Sequence, residues 1–330
     1  MKPFARLLAL AVAALAAVAL AAVLVAAVPT MADDYPTRPI KIIVSTSAGG
    51  ITDVVARVLG QYITTRTGQA VVIDNRAGAG GNIAMDAVAR STPDGYTLGV
   101  ANTGNIVINP YLYRTMPYDP LTDLVPIGSA GEVPLFIVVN GKLPVNNLPE
   151  FVAYAKKNHV VYGSAGVGTT PHLAADAFNR RAGLDMVHVP YRGSTAAMTD
   201  VIGGNIPMTF VSLGQYIDLV RQGTIKVLGI AGPKRASYLP DVGTFAEQGF
   251  PGFEVGTWFA LFAPQGTPPD IVEKLNLYVR ALYDDPDSRK RLEAAFLEPM
   301  AMTAAQFGEQ VKHDAAKWER IVRDSGVKQD

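Results

Sequence analysis

The sequence predicts a two-domain α/β protein, each domain a mostly parallel sheet flanked by helices. Three observations carry this. Short apolar runs of strand length alternate with segments whose apolar residues recur at helical spacing. The alternation starts at Ile40, breaks at Met116-Pro117-Tyr118-Asp119-Pro120 and restarts at Leu135. A strand, then Ser-Ala-Gly with another glycine and a threonine, then a helix, occurs twice, at 44–53 and 161–172.

The first 32 residues stand apart from the fold. Lys2 and Arg6 lead into the apolar run Leu7–Val28, which Pro29 breaks. Thr30-Met31-Ala32 then offers small residues before Asp33-Asp34. This is the layout of a secretory signal peptide cleaved after Ala32. The run is also long enough to span a bilayer, so a retained anchor is the competing reading. The chain has no cysteine, so it cannot be a lipoprotein.

Ile40–Val44 reads as a buried strand. Asp53–Thr65 reads as a helix with Val54, Val55, Val58, Leu59, Tyr62 and Ile63 on one face, stopped by Gly68. Ala70–Ile73 is the next strand. The turn Gly78-Ala79-Gly80-Gly81-Asn82 feeds a helix through Ile83, Ala84, Ala87 and Val88. Pro93-Asp94-Gly95 turns the chain into a strand at Tyr96–Ala101. In the second half Leu135–Val139 is a strand, Pro149–Lys157 a helix and Val160–Tyr162 a strand. A helix follows through Leu173, Ala174, Ala177 and Phe178. Met186–Val189, Met208–Val211 and Ile225–Ala231 complete the strands. From Pro268 onward the pattern is helical, at Ile271–Tyr283, Asp287–Phe296 and Ala304–Arg323.

Composition narrows the function. Residues 1–32 carry two basic and no acidic side chains, which leaves 27 basic against 29 acidic ones. A balance near −2 argues against nucleic acid, which needs a basic face. The absence of cysteine excludes disulfides, thiolate catalysis and cysteine metal sites.

The two glycine turns are candidate anion cups. The first turn of a helix leaves N–H groups without partners, and the peptide dipoles add positive potential there. Glycines let a ligand approach the backbone, and hydroxyls add donors, so a carboxylate or phosphate can bind without lysine or arginine. In the first cup the donors are the N–H groups of Ala48, Gly49, Gly50, Thr52 and Asp53 with the hydroxyls of Ser47 and Thr52. In the second they are Ser164, Thr169, Thr170 and the amides of Ala165, Gly166 and Gly168. The competing reading makes Asp53 and Thr169 plain helix caps. His172 is a candidate by its place in the first turn after the second cup. Tyr191 is another, in a strand-to-helix turn; Tyr111, Tyr113, Trp258 and Phe259 read as core aromatics.

Nucleotide and catalytic motifs are missing. There is no G-x-x-x-x-G-K-[ST], no G-x-G-x-x-G at either cup, no G-x-S-x-G and no histidine pair at metal spacing. Asp74-Asn75 only weakly imitates a ribose-binding acid. No catalytic residue, metal or cofactor is expected.

Several stretches resemble the periplasmic solute-binding receptors of tripartite tricarboxylate transporters, the Bug or TctC-like proteins. They are Tyr35–Ile40, Ala48–Asp53, Asp74–Gly81, Pro93–Leu98, Tyr162–Gly168, His188–Gly193, Leu239–Val242 and Ala263–Pro268, in order along 35–300. The resemblance implies a type II-like, Venus-flytrap binding protein with the ligand in the interdomain cleft. It implies that loops 45–53 and 163–172 grip a ligand carboxylate, with loops 78–82 and 102–105 (Gly80, Asn102 and Thr103) and the turn at Tyr191 completing the lining. The family often has Pro-Phe-Pro or Pro-Phe-Ala where this chain has Ser45-Thr46-Ser47. The loss of that aromatic and the gain of three hydroxyls point to a small polar ligand.

The resulting expectation is a monomeric periplasmic receptor for a small dicarboxylate, tricarboxylate or amino acid, serving a membrane permease of the tripartite tricarboxylate type. Crossings near Glu132–Phe136 and Glu254–Phe259 divide it into 33–135 plus 258–330 and 136–257. Two rivals are a ligand receptor for a two-component sensor kinase and an exported enzyme acting on an anionic metabolite.

Overall fold

The computed structural model describes residues 35–329; the apolar leader and its cleavage point lie outside the described residues. Among these residues no helix is long and apolar enough to cross a membrane. The strands are β1 (Ile40–Val44), β2 (Val71–Asn75), β3 (Thr97–Asn102), β4 (Leu124–Pro134), β5 (Phe136–Asn140), β6 (Val161–Ser164), β7 (Val187–Pro190), β8 (Met208–Val211), β9 (Ile225–Ile230) and β10 (Gly256–Pro264). They form two five-stranded sheets, ordered β2-β1-β3-β10-β4 and β7-β6-β8-β5-β9.

Both sheets follow one rule. The first three strands pair in parallel, and the fourth, β10 or β5, pairs antiparallel with both neighbours. Four strands in each sheet therefore share a direction and one opposes them. The cause is the crossing. Only Leu135 separates β4 from β5. A chain leaving one sheet at the carboxyl ends of its strands enters the facing sheet at the same ends, so its first strand runs against the rest.

The helices are α1 (Ile51–Thr67), α2 (Asn82–Ala89), α3 (Asn109–Leu112), α4 (Leu148–Ala155), α5 (Thr170–Arg181), α6 (Ser194–Gly203), α7 (Ile217–Arg221), α8 (Pro269–Arg280), α9 (Pro286–Ala294) and α10 (Ala304–Ser325). Helix α10 shows how sequence sets their placement. Phe307, Val311, Ala315, Trp318 and Val322 recur at steps of three and four and are all buried. Its start is a capping box, in which Thr303 Oγ1 accepts from the Gln306 N–H and Gln306 Oε1 accepts from the Thr303 N–H. Gly326, at φ 68°, ends it in the left-handed conformation.

The chain enters two long strands where the sequence pattern indicates none. β4 contains Pro126, Gly128, Gly131 and Pro134, residues that read as loop. β10 is a nearly unbroken apolar run whose periodicity does not separate strand from helix. Their mutual ladder is irregular, with register shifts at Phe259/Ala260 and Leu261/Phe262. Those bulges accommodate the glycines.

Candidate functional site

In open α/β sheets, loops at the carboxyl ends of the strands form the binding crevice. Here the loops after β1, β2 and β3 meet the loop after β6 around a cavity of about 510 Å³. The first sheet supplies Ser45, Thr46, Ser47, Gly80, Asn102, Asn105 and Asn109, and the second supplies Val167, Gly168, Thr169 and Thr170. Ile108, Leu112 and Tyr113 add an apolar flank. None of the lining residues is charged.

The first wall is held by asparagines. Ser45 Oγ donates to Asn105 Oδ1 at 2.7 Å, and the Asn102 N–H donates to the same oxygen at 3.0 Å. The Asn105 amide in turn donates to the Gly80 carbonyl. Asn109 Nδ2 reaches that carbonyl at 3.1 Å and Asn82 Oδ1 at 2.7 Å. One side chain thus ties together three loops far apart in sequence. Asn105 and Asn109, four residues apart, share one face of the π-helix Gly104–Ile108 and the α3 that follows it. Gly81, at φ +93°, packs so closely on the Asn105 amide that no β-carbon fits.

Two helices begin at this cavity. α2 has Gly81 as N-cap and α5 has Thr169, and neither N-terminus receives a side-chain cap. Thr169 Oγ1 donates instead to the Gly166 carbonyl at 2.7 Å. Their first turns therefore keep positive potential facing the space between the two walls. On the first wall, Thr46 Oγ1 is shielded from solvent and has no hydrogen-bond partner.

Only part of the first cup lines the cavity. Ser45, Thr46 and Ser47 reach the cavity, whereas Ala48, Gly49 and Gly50 are exposed beyond its lining. Thr52 and Asp53 are buried in α1. Asp53 Oδ2 accepts from the Gly49 N–H at 2.9 Å and from Arg57 Nε at 2.8 Å, and Oδ1 accepts from Asn75 Nδ2 at 3.0 Å. Burial works to raise this carboxyl, but the hydrogen bonds from Arg57, Gly49 and Asn75 outweigh it and hold the group below its ordinary value. A protein carboxylate already occupies the anion position of α1. Asn75 also donates to the Thr46 carbonyl at 3.1 Å, while Asp74 pairs with Arg76 at 2.9 Å.

Four other expected residues sit behind the walls. Thr103 is buried and accepts the Trp258 N–H at 2.9 Å. Ser164 is fully buried, with its hydroxyl 2.7 Å from His188 Nε2. His172 Nδ1 accepts the Gly168 N–H at 3.1 Å, so this ring shapes the loop from beneath. Tyr191 donates its hydroxyl to Asp200 at 2.6 Å, away from the cavity. Ala165 and Gly166 belong to the loop but not to the lining. Gly80, Asn102, Gly168, Thr169 and Thr170 do line it. Asn105 lies in the expected loop 102–105, whereas Asn109 and Gln329 are lining residues beyond the sequence reading. For the asparagines a signal existed, since Asn102, Asn105 and Asn109 follow one another at helical spacing directly after a strand.

A model of the tripartite tricarboxylate transporter family receptor matches residues 55–327. The chain belongs to that family. It is a solute-binding receptor with the two-domain α/β fold of periplasmic binding proteins. Protein BugT of Bordetella pertussis is 35% identical to the receptor over 303 residues, covering 91% of this chain and 93% of that one. A solved R. palustris protein with adipate is 34% identical, with a TM-score of 0.74 over 89% of this chain and 99% of that one. MatC from Rhodopseudomonas palustris, solved with malate, is 32% identical, with a TM-score of 0.69 over 87% of the receptor and 100% of its own chain.

Proposed function

We propose that the receptor captures a small aliphatic dicarboxylate in this cavity, without turnover, and hands it to a membrane permease of the tripartite tricarboxylate type. The carrying observation is the pairing of two uncapped helix N-termini across a neutral, amide- and hydroxyl-lined space. One carboxylate sits at the start of α5 with Thr169 and Thr170. The other meets the first wall, where Thr46 offers a hydroxyl without a partner. The methylenes between them lie along Ile108, Leu112 and Tyr113. Adipate and malate in the related structures have this two-ended chemistry. Neutral donors and helix dipoles suit a doubly charged ligand that must also be released.

In this reading the working protein is a periplasmic monomer freed by cleavage after Ala32. Its domains are 33–135 with 258–330, and 136–257, and the ligand favours closure by contacting both. The test is calorimetry on purified receptor with C4 to C6 dicarboxylates, amino acids and aromatic carboxylates, alongside mass spectrometry of co-purified molecules. Binding of a dicarboxylate, weakened about tenfold by Thr46→Val, is the expected result. Binding of aromatic carboxylates alone would overturn the ligand class, and conversion of a bound ligand to product would overturn the receptor role.

A further inference from the structure

Segment 326–329, which follows α10, leads into the cavity wall. After Gly326 turns the chain, Lys328 Nζ donates to the Tyr111 carbonyl at 2.7 Å. The Gln329 N–H donates to the Leu112 carbonyl at 2.9 Å, and the Arg114 N–H donates to the Gln329 carbonyl at 3.1 Å. These bonds make a short parallel bridge between Gln329 and Tyr113. The segment's main chain is thereby fastened to the loop that carries the apolar flank.

The Gln329 side chain leaves that wall. Its Nε2 donates to the Val167 carbonyl of the second cup at 3.0 Å. Gly168, at φ +76°, leaves room for it, since a β-carbon there would lie 2.9 Å from Nε2. Gln329 lines the cavity and is half-buried. A single carboxamide therefore joins the two walls.

We infer that Gln329 is a ligand-gating and specificity-determining residue. Its backbone belongs to one wall and its side chain to the other, so the bond to Val167 ties the two walls together. It holds the second cup's loop in place and slows ligand escape. It also puts a neutral amide where a charged side chain would act on an anion directly.

This rests on the cavity being the ligand site, and the experiment separates the two. Gln329→Met keeps the side chain's length without a donor, and Gln329→Glu replaces the donor with a negative charge. Stopped-flow binding of malate and adipate is expected to show dissociation faster by roughly three- to tenfold for Gln329→Met, the range of one neutral hydrogen bond, with association nearly unchanged. Gln329→Glu should lose more affinity for the anions than Gln329→Met. Hydrogen exchange on ligand-free protein should show faster exchange at amides 166–169 in both variants, with thermal midpoints close to the parent. Unchanged exchange at 166–169 would overturn the inference, as would dissociation rates equal to the parent's. If the unaltered receptor binds no dicarboxylate, the ligand assignment fails while the exchange measurement still decides the role of Gln329.

Discussion

The imidazoles of His172 and His188 stack with their centroids 3.9 Å apart and 22° between ring planes. Tyr162 packs against both rings, its centroid 5.1 Å from that of His188 and 6.4 Å from that of His172. Both rings hold the second cup, through Gly168 and Ser164 respectively.

This pair makes the cup sensitive to acid. Burial, and then the neighbouring His172, lower His188 to about 4; burial also lowers His172, with Asp176 opposing in both cases. Between the ordinary value near 6.5 and the depressed one, the unfolded chain binds more protons than the folded one. The stabilisation is therefore present above pH 6.5 and is lost as pH falls toward 4. Thermal midpoints should drop over that window, and His188→Gln should flatten the slope. A parent-like slope in that variant would remove His188 from the explanation. Ligand affinity should fall in parallel, because a protonated His172 Nδ1 no longer accepts the Gly168 N–H.

Asp53 predicts a separation between stability and binding. Asp53→Ala leaves the Gly49 N–H, Asn75 and Arg57 without their shared acceptor, and should cost roughly 2–3 kcal/mol in denaturant unfolding. Asp53→Asn keeps one acceptor oxygen and should cost less. Direct ligand contact by Asp53 would instead show as lost affinity in Asp53→Asn at near-normal stability.

The glycines at 50 and 81 predict opposite tolerances. Gly50 has φ −75°, and a β-carbon there would meet Thr46 Oγ1 at 3.5 Å, an ordinary contact. Gly50→Ala should cost less than about 1 kcal/mol. Gly81→Ala forces a side chain into positive φ against the Asn105 amide, and should cost about 2 kcal/mol or more and weaken binding. Equal unfolding midpoints for the two variants would contradict this.

What sequence alone reveals follows the range of the forces involved. The strand–glycine turn–helix units at 44–53 and 161–172 are local patterns, so both cups and most of the alternation are legible. β4 and β10 are not: in β4 the glycines and prolines that locally signal turns are overridden by pairing across more than a hundred residues, and β10 is an apolar run whose period does not separate strand from helix. Within the two turns, spacing locates the loop but not which of its residues line the cavity. Asp53 reads equally well as donor turn or cap until Arg57 and Asn75 are seen closing on it. Gln329 lies far along the chain from every motif and is placed at the cavity only by the packing of α10.

The placing of β10 between β3 and β4 sets an order of events for a chain made from one end. Residues 40–134 alone leave β3 and β4 with bare edges, whereas β5 to β9 complete their sheet from one continuous stretch. The later-made half should therefore become protected first in pulse-labelled exchange, with β1 to β4 following only once 256–264 is available. Simultaneous protection of both sheets would refute that order. Until β10 arrives the earlier half remains an unfinished surface with two unpaired strand edges.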